Sequence, residues 1–361
     1  MPPRFGTTLR SERAAFRVDL VAGGLSHPWA IDVLPDGALI VTERRGTMRV
    51  ITTSGNVSQP LRGVPKVQAK GQGGLLDVAL HPAFAENSLV YFSYSEPGPG
   101  GAATAVARAR LAADRTSLSD VEVIFSQKPR LPGSYHFGSR IVFDGAGHIF
   151  VGLGERFAER TRVKAQELDT HLGKIVRLNE DGSVPDDNPF VGTPEALPEI
   201  WSLGHRNIQA MAIEPESGAL WEIEHGPMGG DELNIVRPRA NYGWPVVSFG
   251  LNYDGTPVGT GKSSAPGFVP PVRQWTPVIA PSGMAFYEGD AFPGWKGSLF
   301  AGGLATTCLV RLEHDGETII HEERMLREFG FRIREVVAAP DGSILVATDE
   351  ESGHVLRLVP A

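Results

Sequence analysis

Six times along this chain a Gly-, Asp- or Asn-bearing turn is followed by a short run of β-branched, aliphatic or aromatic residues and then a polar or glycine exit. "LPDGALIVTE" (34 to 43) is answered near the other end by "APDGSILVATDE" (339 to 350). Between them come "HPAFAENSLVYFSYS" (81 to 95), "FDGAGHIFVGLGE" (143 to 155), "EPESGALWEIEHG" (214 to 226) and "YEGDAFPGWKGSLFAGG" (287 to 303). The turn residues supply tight reversals and the alternation supplies half-buried strands. The short strands begin near Leu39, Leu89, His148, Ala219, Ser298 and Ser343, in steps of 50, 59, 71, 79 and 45 residues. A four-stranded blade needs about 40 to 50 residues, so each step holds one blade, some with long insertions. The expectation is an all-β, six-bladed β-propeller of mostly four-stranded antiparallel blades over residues 17–361, preceded by an extension over 1–16. Two β-sandwich domains are the alternative. Against them, no Pro/Ser linker divides the chain, and its first and last repeats are the most alike, as in a closed ring. Helical periodicity is weak; "RVKAQELDTHLGKIV" (162 to 176) holds at most a turn or two before another strand.

Composition narrows the function classes. The 43 Gly and 28 Pro are scattered between apolar segments, and hydrophobics make up 41% of the 361 residues, which argues for turns rather than disorder. A net charge of -8 without a basic run disfavours a general nucleic-acid binder. The single cysteine, Cys308 in "CLVRL", excludes an intrachain disulfide and a Cys-cluster metal site, and reads as a buried small hydrophobe. "MPPRFGTTLRSERAAF" has no apolar run of signal-peptide length, and no segment is long enough to span a bilayer as a helix.

Chemistry on a propeller sits at the axis, on loops from several blades. His136, between "RLPGSY" and "FGSR", is either a turn histidine or a base. Gln72 lies in "GQGGLLDV", Asp169 in "QELDTHLGK", and Arg206 and Asn207 in "SLGHRNIQ". Arg332 and Arg334 in "FRIREV" are two apart, so a strand aims both at one face; this fits either an anion site or a salt-bridged surface. A histidine oriented by a carboxylate is a general-base arrangement, and convergent arginines suit a ligand with several carboxylates or phosphates. In "EHGPMGGDELNIVRPRANYGWP" (224 to 245), an irregular backbone offers carbonyls while Asp231 and Glu232 offer hard oxygens. That set suits Ca²⁺ better than zinc, or it is an acidic turn. No GxxxxGK[ST] phosphate loop, dinucleotide fingerprint in strand–helix context or Gly-x-Ser-x-Gly elbow is present.

Taken together, "GQGGLLDVALHP", "HFGSRIVFDGAGHIFVGLGERF", "LDTHLGKIVRLNEDGSVPDDNPF", "IWSLGHRNIQ", "HGPMGGDELN" and "NYGWP" resemble the soluble quinoprotein sugar dehydrogenases. More specifically, they are similar to bacterial aldose sugar dehydrogenases that use pyrroloquinoline quinone (PQQ), over nearly the whole chain. The resemblance implies a six-bladed propeller that oxidises an aldose at C1 to the lactone and passes electrons to an external acceptor. In that scheme His136 takes the anomeric proton as hydride passes to the quinone C5, and Asp169 orients His136. Gln72, Arg206, Asn207, Arg332 and Arg334 hold PQQ, with Arg206 among the groups meeting its developing charge. The carbonyls of Gly226 and Pro227 bind Ca²⁺, and Glu232 and Tyr242 a second Ca²⁺. A cofactor-contacting lysine of the glucose-dehydrogenase branch is missing from "AGGLATTC" (301 to 308), as in the aldose-type branch. The family implies a periplasmic or secreted location and a sugar substrate; a monomer is the default expectation, without nucleic acid or membrane insertion. A non-catalytic binding propeller and a calcium-dependent lactonase-type hydrolase are the rivals.

Overall fold

The computed structural model describes residues 4–361. Six antiparallel sheets follow one another along the chain as blades of a closed ring. Their innermost strands are Pro28–Val33, Leu75–Leu80, Gly138–Phe143, Ile208–Ile213, Pro281–Phe286 and Ile333–Ala338, in blades one to six. The second strands, Leu39–Glu43, Leu89–Gly98, His148–Leu153, Leu220–Glu224, Leu299–Gly303 and Ile344–Thr348, begin within a residue of the six positions read from the repeats. Blade one has three strands and blades two to five have four. The sixth is closed by the chain's beginning: Ala15–Leu25 pairs antiparallel with Gly353–Pro360, and Thr8–Arg10, within the expected extension, adds a fifth strand. Closing the ring with both chain ends leaves the seam hydrogen-bonded instead of presenting an edge. The expected helical turn lies at Val163–Gln166, and a further turn at Glu159–Arg162 leads into the expected segment.

The alternation expected of half-buried strands gives way to full burial. Leu39–Glu43, Leu220–Glu224, Leu299–Gly303 and Ile344–Thr348 are buried at every residue. Each blade is sandwiched between two neighbours, so both of its faces meet apolar surface. Six of the eight apolar clusters among the described residues accordingly lie one at each blade–blade junction. Trp29, Ile40 and Met48 pack on Leu75, Phe92 and Phe137 between blades one and two. Phe150 and Ile175 pack on Ile208 and Met211 between three and four, and Trp221 packs on Met284 and Leu299 between four and five. Cys308 is buried in that last cluster.

One irregularity recurs six times and builds the axis. Each innermost strand loses register with the second strand near its start, between Pro28 and Ala30, Leu75 and Val78, Gly138 and Ile141, Ile208 and Ala210, Ser282 and Met284, and Ile333 and Glu335. Such a bulge re-aims a side chain that regular pleating would send between the blades. The residues inserted there include Trp29, Gln209 and Arg334, which line one axial cavity. Below them Arg140 is buried between Asp77 (2.8 Å) and Glu335 (2.5 Å).

Candidate active site

The segments that enter the innermost strands and those that leave the second strands lie at the same mouth of the ring. His136 sits just before the innermost strand of blade three in left-handed conformation (φ 50°), with only 4% of its surface exposed. Its backbone N–H donates to the Gln72 side-chain oxygen at 2.7 Å. Its Nδ1 lies 3.0 Å from Glu155 Oε1. An ionised carboxylate only accepts, so Nδ1 carries the proton and Nε2 keeps its lone pair. Nε2 has no hydrogen-bond partner among the described residues. Burial, then the nearby Arg206 guanidinium, holds the imidazole below its ordinary range despite Glu155, so it is neutral at neutral pH.

The carboxylate on the histidine is therefore Glu155 and not Asp169. Asp169 is exposed in the loop before the third strand of blade three, a strand further from the axis, and the carboxylate on the imidazole is Glu155. Glu155 lies two residues after the second strand of the same blade, beside the entry to the innermost strand that His136 leads. It is fully buried, and its other oxygen accepts the Phe157 N–H. Gly154 permits the approach: a Cβ there would stand 2.1 Å from the His136 carbonyl oxygen.

Toward the axis lies a cavity of about 160 Å³ lined by Gln72, Arg44, Arg332, Arg334, His225 and Gln209, among others. The two-residue spacing of Arg332 and Arg334 does bring both to one place. Arg334 is buried and donates to Asp349 Oδ2 (2.9 Å), Gln209 Oε1 and Ser282 Oγ (both 3.1 Å). Arg332, half exposed, reaches the same Asp349 oxygen at 3.4 Å. Burial alone would raise the Asp349 carboxyl, but the Arg334 guanidinium holds it well below the ordinary range. Burial and Arg334 push His225 down to about 3, so this ring is neutral and donates from Nε2 to the Pro281 carbonyl at 2.7 Å. Three guanidiniums thus face one carboxylate. Arg334 Nε and Asn207 Nδ2 are buried without partners. Orphaned donors beside surplus positive charge are what a planar polyanionic ligand would satisfy.

Arg206 and Asn207 are held by the second strand of blade four, where Glu224 Oε2 accepts both backbone N–H groups at 2.5 and 3.2 Å. Asn207 Oδ1 accepts the Gly138 N–H at 3.2 Å, tying this segment to His136's strand. The Arg206 guanidinium lies over Trp244 (5.1 Å) and donates to the carbonyls of His225 (2.9 Å) and Gly226 (2.6 Å). The Pro227 carbonyl accepts no hydrogen bond from the described residues. Asp231 does not serve as the free hard oxygen expected of it: its carboxylate accepts the N–H groups of Gly226, Ile279 and Ala280, each at 2.8 Å, and holds the turn.

Glu232, Tyr242, Gly226 and Pro227 meet at a narrow cleft of about 10 Å³. Tyr242 does not offer its hydroxyl there. That group donates to the Ile235 carbonyl (2.6 Å) and accepts from Arg237 N (3.0 Å), while the ring stacks on His205 at 4.6 Å. Sequence reasoning missed Glu232's company. His205, Glu222 and Glu224 bring ligand atoms within 4.8 Å of one another, all buried. Burial and Glu224 push Glu222 up to about 7 and Glu232 well up. Burial would lower His205, but Glu222 and Glu224 carry it up to about 9. His205 Nδ1 and Glu222 Oε2 have no hydrogen-bond partner. Mutually repelling buried carboxyls with unpaired oxygens suit a hard divalent cation.

A larger cavity, about 590 Å³, opens at the opposite mouth among the turns at Leu34–Gly37, His81–Ala85 and Ala339–Asp341. Its polar lining is paired: His81 is bound by Ala83 N, Asn87 and Glu180, Asp32 accepts the N–H groups of Val33 and Leu80, and Arg357 pairs with Asp341, whereas His136 keeps an Nε2 free among the described residues. No helix among the described residues is long and apolar enough to cross a membrane.

Known proteins resemble this chain in sequence and fold. Residues 25–357 match the model of the family described as glucose/sorbosone dehydrogenase. The chain is 45% identical over 350 residues to aldose sugar dehydrogenase YliI of Escherichia coli, covering 96% of this chain and 94% of that protein. It superposes on the apo-form crystal structure of the soluble E. coli aldose sugar dehydrogenase with a TM-score of 0.93 at 44% identity, over 96% of this chain and 100% of that one. The PQQ-bound aldose sugar dehydrogenase of Streptomyces coelicolor matches at TM-score 0.78 and 28% identity over 99% of both chains.

Proposed function

The chain belongs to the glucose/sorbosone dehydrogenase family, and we propose that it oxidises the anomeric carbon of aldose sugars to the lactone with PQQ as the electron-accepting cofactor. The observation that carries this reading is a buried, neutral His136 whose Nδ1 is locked by Glu155, and whose neighbours Gln72, Phe137 and Gly138 line a cationic axial cavity while Glu155, Phe157 and Arg206 line an open cleft. PQQ, when bound, supplies a hydride acceptor for C1. Gln72, Asn207, Arg332 and Arg334 would hold it, with Arg44 as a further cation that sequence reasoning did not single out.

His136 Nε2 accepts the proton of the anomeric hydroxyl as C1 gives up its hydride. The imidazolium formed is stabilised through Nδ1–H by the buried Glu155 carboxylate. Gln72 fixes the height of the ring by accepting the His136 backbone N–H. Arg206, tethered by the Glu224 carboxylate and the His225 carbonyl, places positive charge beside the reacting atoms, where negative charge develops. It also disfavours premature protonation of His136. Trp244 and the surrounding protein keep this charge in low dielectric, where it acts most strongly.

Calcium enters at two places. The Gly226 and Pro227 carbonyls are hard neutral oxygens next to Arg206, and a Ca²⁺ there would act as a Lewis acid toward the quinone. The second ion would take Glu232 with Glu222 or Glu224. The reduced enzyme hands its electrons to an external acceptor, and we place this chemistry outside the cytoplasm, in the periplasm or medium, carried out by a monomer.

The test is titration of apo-protein with PQQ and excess Ca²⁺, followed by dye-linked aldose oxidation beside a His136→Ala variant. Saturable quinone binding and sugar-dependent dye reduction are expected, with the variant binding quinone but turning over roughly 10²- to 10⁴-fold more slowly. A chain that binds no quinone removes the reading; a fully active variant removes His136 from the role of base.

A further inference from the structure

Two stretches of this chain carry cations without a single carboxylate. Residues 44–76 hold Arg44, Arg45, Arg49, Arg62, Lys66 and Lys70, and residues 127–143 hold Lys128, Arg130 and Arg140. Neither contains Asp or Glu, although the whole chain stands at -8. Arg140 is buried at the axis, Arg49 pairs with Glu43 and Arg130 with Glu96. Arg45, Lys66, Lys70 and Lys128 are exposed and have no carboxylate partner among the described residues.

The fold gathers the first three of these, with the ring of Tyr135, on one sector of the His136 mouth. The turn at Arg45 meets the loop at Lys66 where Gly46 leaves room: a Cβ there would stand 2.8 Å from Val67 Cγ2. Arg44 donates to the Gly71 carbonyl at 3.2 Å. The Gln72 N–H donates to the Ser134 carbonyl at 2.8 Å and Gln68 Nε2 to the Gly133 carbonyl at 3.4 Å, which sets the Lys70 loop against that of Tyr135. The Lys66–Lys70 loop is itself fixed. The Gln68 N–H donates to the Ser95 carbonyl, Ser95 Oγ donates to the Gln68 carbonyl and the Gly73 N–H closes on the Lys70 carbonyl, each at 2.9 Å. On this ordered platform Tyr135 is 48% exposed.

The same loops reach the axial cavity by their inner ends. Arg44 and Gln72 line the cavity of about 160 Å³ assigned above to PQQ, while Arg45, Lys66 and Lys70 face solvent. A small dye enters the mouth and needs no charge on its rim. A protein is too large to enter, so it takes electrons at the rim, where complementary charge and an exposed tyrosine select which protein stays. We propose that the sector of Arg45, Lys66, Lys70 and Tyr135 is the docking surface of the electron acceptor, and that this acceptor is a small acidic protein carrying one electron at a time on a haem or copper centre. This rests on the sugar-oxidising reading above. Each sugar oxidised leaves two electrons on the cofactor; two oxidised carriers take one each in turn, and two protons pass to water. Encounters of this kind bury less than about 1,200 Å² and are steered by charge.

For the test, holoenzyme loaded with PQQ and Ca²⁺ and reduced with D-glucose or maltose is mixed in a stopped-flow instrument with an oxidised carrier. The carriers are plastocyanin, an acidic copper protein, and cytochrome c, a basic haem protein. At a net charge of -8 the molecule as a whole repels the acidic carrier, so attraction of plastocyanin requires a local patch. Its rate constant is expected to fall about five- to tenfold as salt rises from about 50 to 300 mM. Lys66→Glu/Lys70→Glu should lower that rate about tenfold at the low-salt end and abolish its fall with salt, with dye-linked sugar oxidation held within about twofold. Tyr135→Ala should lower it several-fold at every salt concentration. A plastocyanin rate that rises with salt, or one unmoved in the double variant, overturns the docking surface while dye reduction leaves the sugar reading standing. A double variant impaired in the KM for sugar gives the sector to the substrate and also overturns it. Binding to phosphatidylglycerol vesicles that the double variant loses, with the plastocyanin rate unchanged, gives the sector to an anionic membrane instead. A holoenzyme that neither sugar reduces takes down both readings.

Discussion

Replacing Glu155 by Gln removes one charge from a fully buried position and leaves its shape. In the native site that charge accepts the His136 Nδ1–H at 3.0 Å and the Phe157 N–H. A hydrogen bond to an ionised partner is worth about 1.5–3 kcal/mol, and here it counts most when the imidazole becomes positive. That alone is about a 10- to 150-fold loss in kcat. An amide can also donate to Nδ1, which leaves the proton on Nε2, where the base needs a lone pair; a wrong tautomer of this kind costs toward 10⁴-fold. The expected outcome is a kcat lower by roughly 10²- to 10⁴-fold in the dye-linked assay at saturating sugar, with quinone affinity held within about twofold. The acid limb gives an independent readout. Burial and Arg206 already place the wild-type limb below the ordinary imidazole range, and activity falls as pH drops through it. Glu155 opposes that shift, so in Glu155→Gln the limb moves lower still while the plateau falls. Asp169→Asn is the control: an exposed side chain away from the imidazole should change kcat by no more than about twofold. The reasoning fails if Glu155→Gln keeps more than about a third of the wild-type kcat, or if Asp169→Asn loses as much.

Gly154→Ala puts a Cβ 2.1 Å from the His136 carbonyl oxygen; it should lower stability by about 1–3 kcal/mol in chemical denaturation and cut kcat by moving the base. Arg334→Ala leaves Asp349 without its 2.9 Å partner and is expected to lose about 3–5 kcal/mol of stability. Arg332→Ala, half exposed and 3.4 Å from the same oxygen, should lose no more than about 1 kcal/mol while still weakening quinone binding measured by titration. Exhaustive chelation should lower both Tm and activity, restored by Ca²⁺ and poorly by Mg²⁺, whose smaller shell fits backbone carbonyls less well; an unchanged melt and rate would leave both proposed calcium sites without support.

The architecture was legible because the second strand of every blade carries the same local grammar, turn then apolar run, and its first residue can be counted along the chain. What the pattern did not give was burial. Alternation suggests one wet face, but a strand between two blades is dry on both sides, which only the closed ring explains. The innermost strands were harder to see for a related reason. Their period is broken by a bulge, so "PWAIDV" and "RIREVV" read as irregular although all six break at corresponding places. Those breaks deliver Trp29, Gln209 and Arg334 to the axis.

The misassigned carboxylate has the same origin. Asp169 was taken from its place in a motif, whereas the partner of His136 is set by strand adjacency within the blade. Second strands end in an acidic residue or are followed by one within two positions in four blades: Glu43, Glu155, Glu224 and Asp349. In each case that residue reaches the segment leading into the neighbouring innermost strand. Glu43 accepts Ser26 N, Glu155 meets His136 Nδ1, Glu224 accepts Arg206 N and Asn207 N, and Asp349 meets His27 Nδ1 and Arg334. The exits "VTE", "GLGE", "EIE" and "ATDE" were visible in the sequence as polar ends of strands. Their meaning follows from topology: an antiparallel neighbour turns the end of one strand into the support for the beginning of the next. On this frame one blade holds a backbone with its carboxylate, another holds arginines, and the third blade, where the supported residue is His136, becomes the place where a proton can be taken.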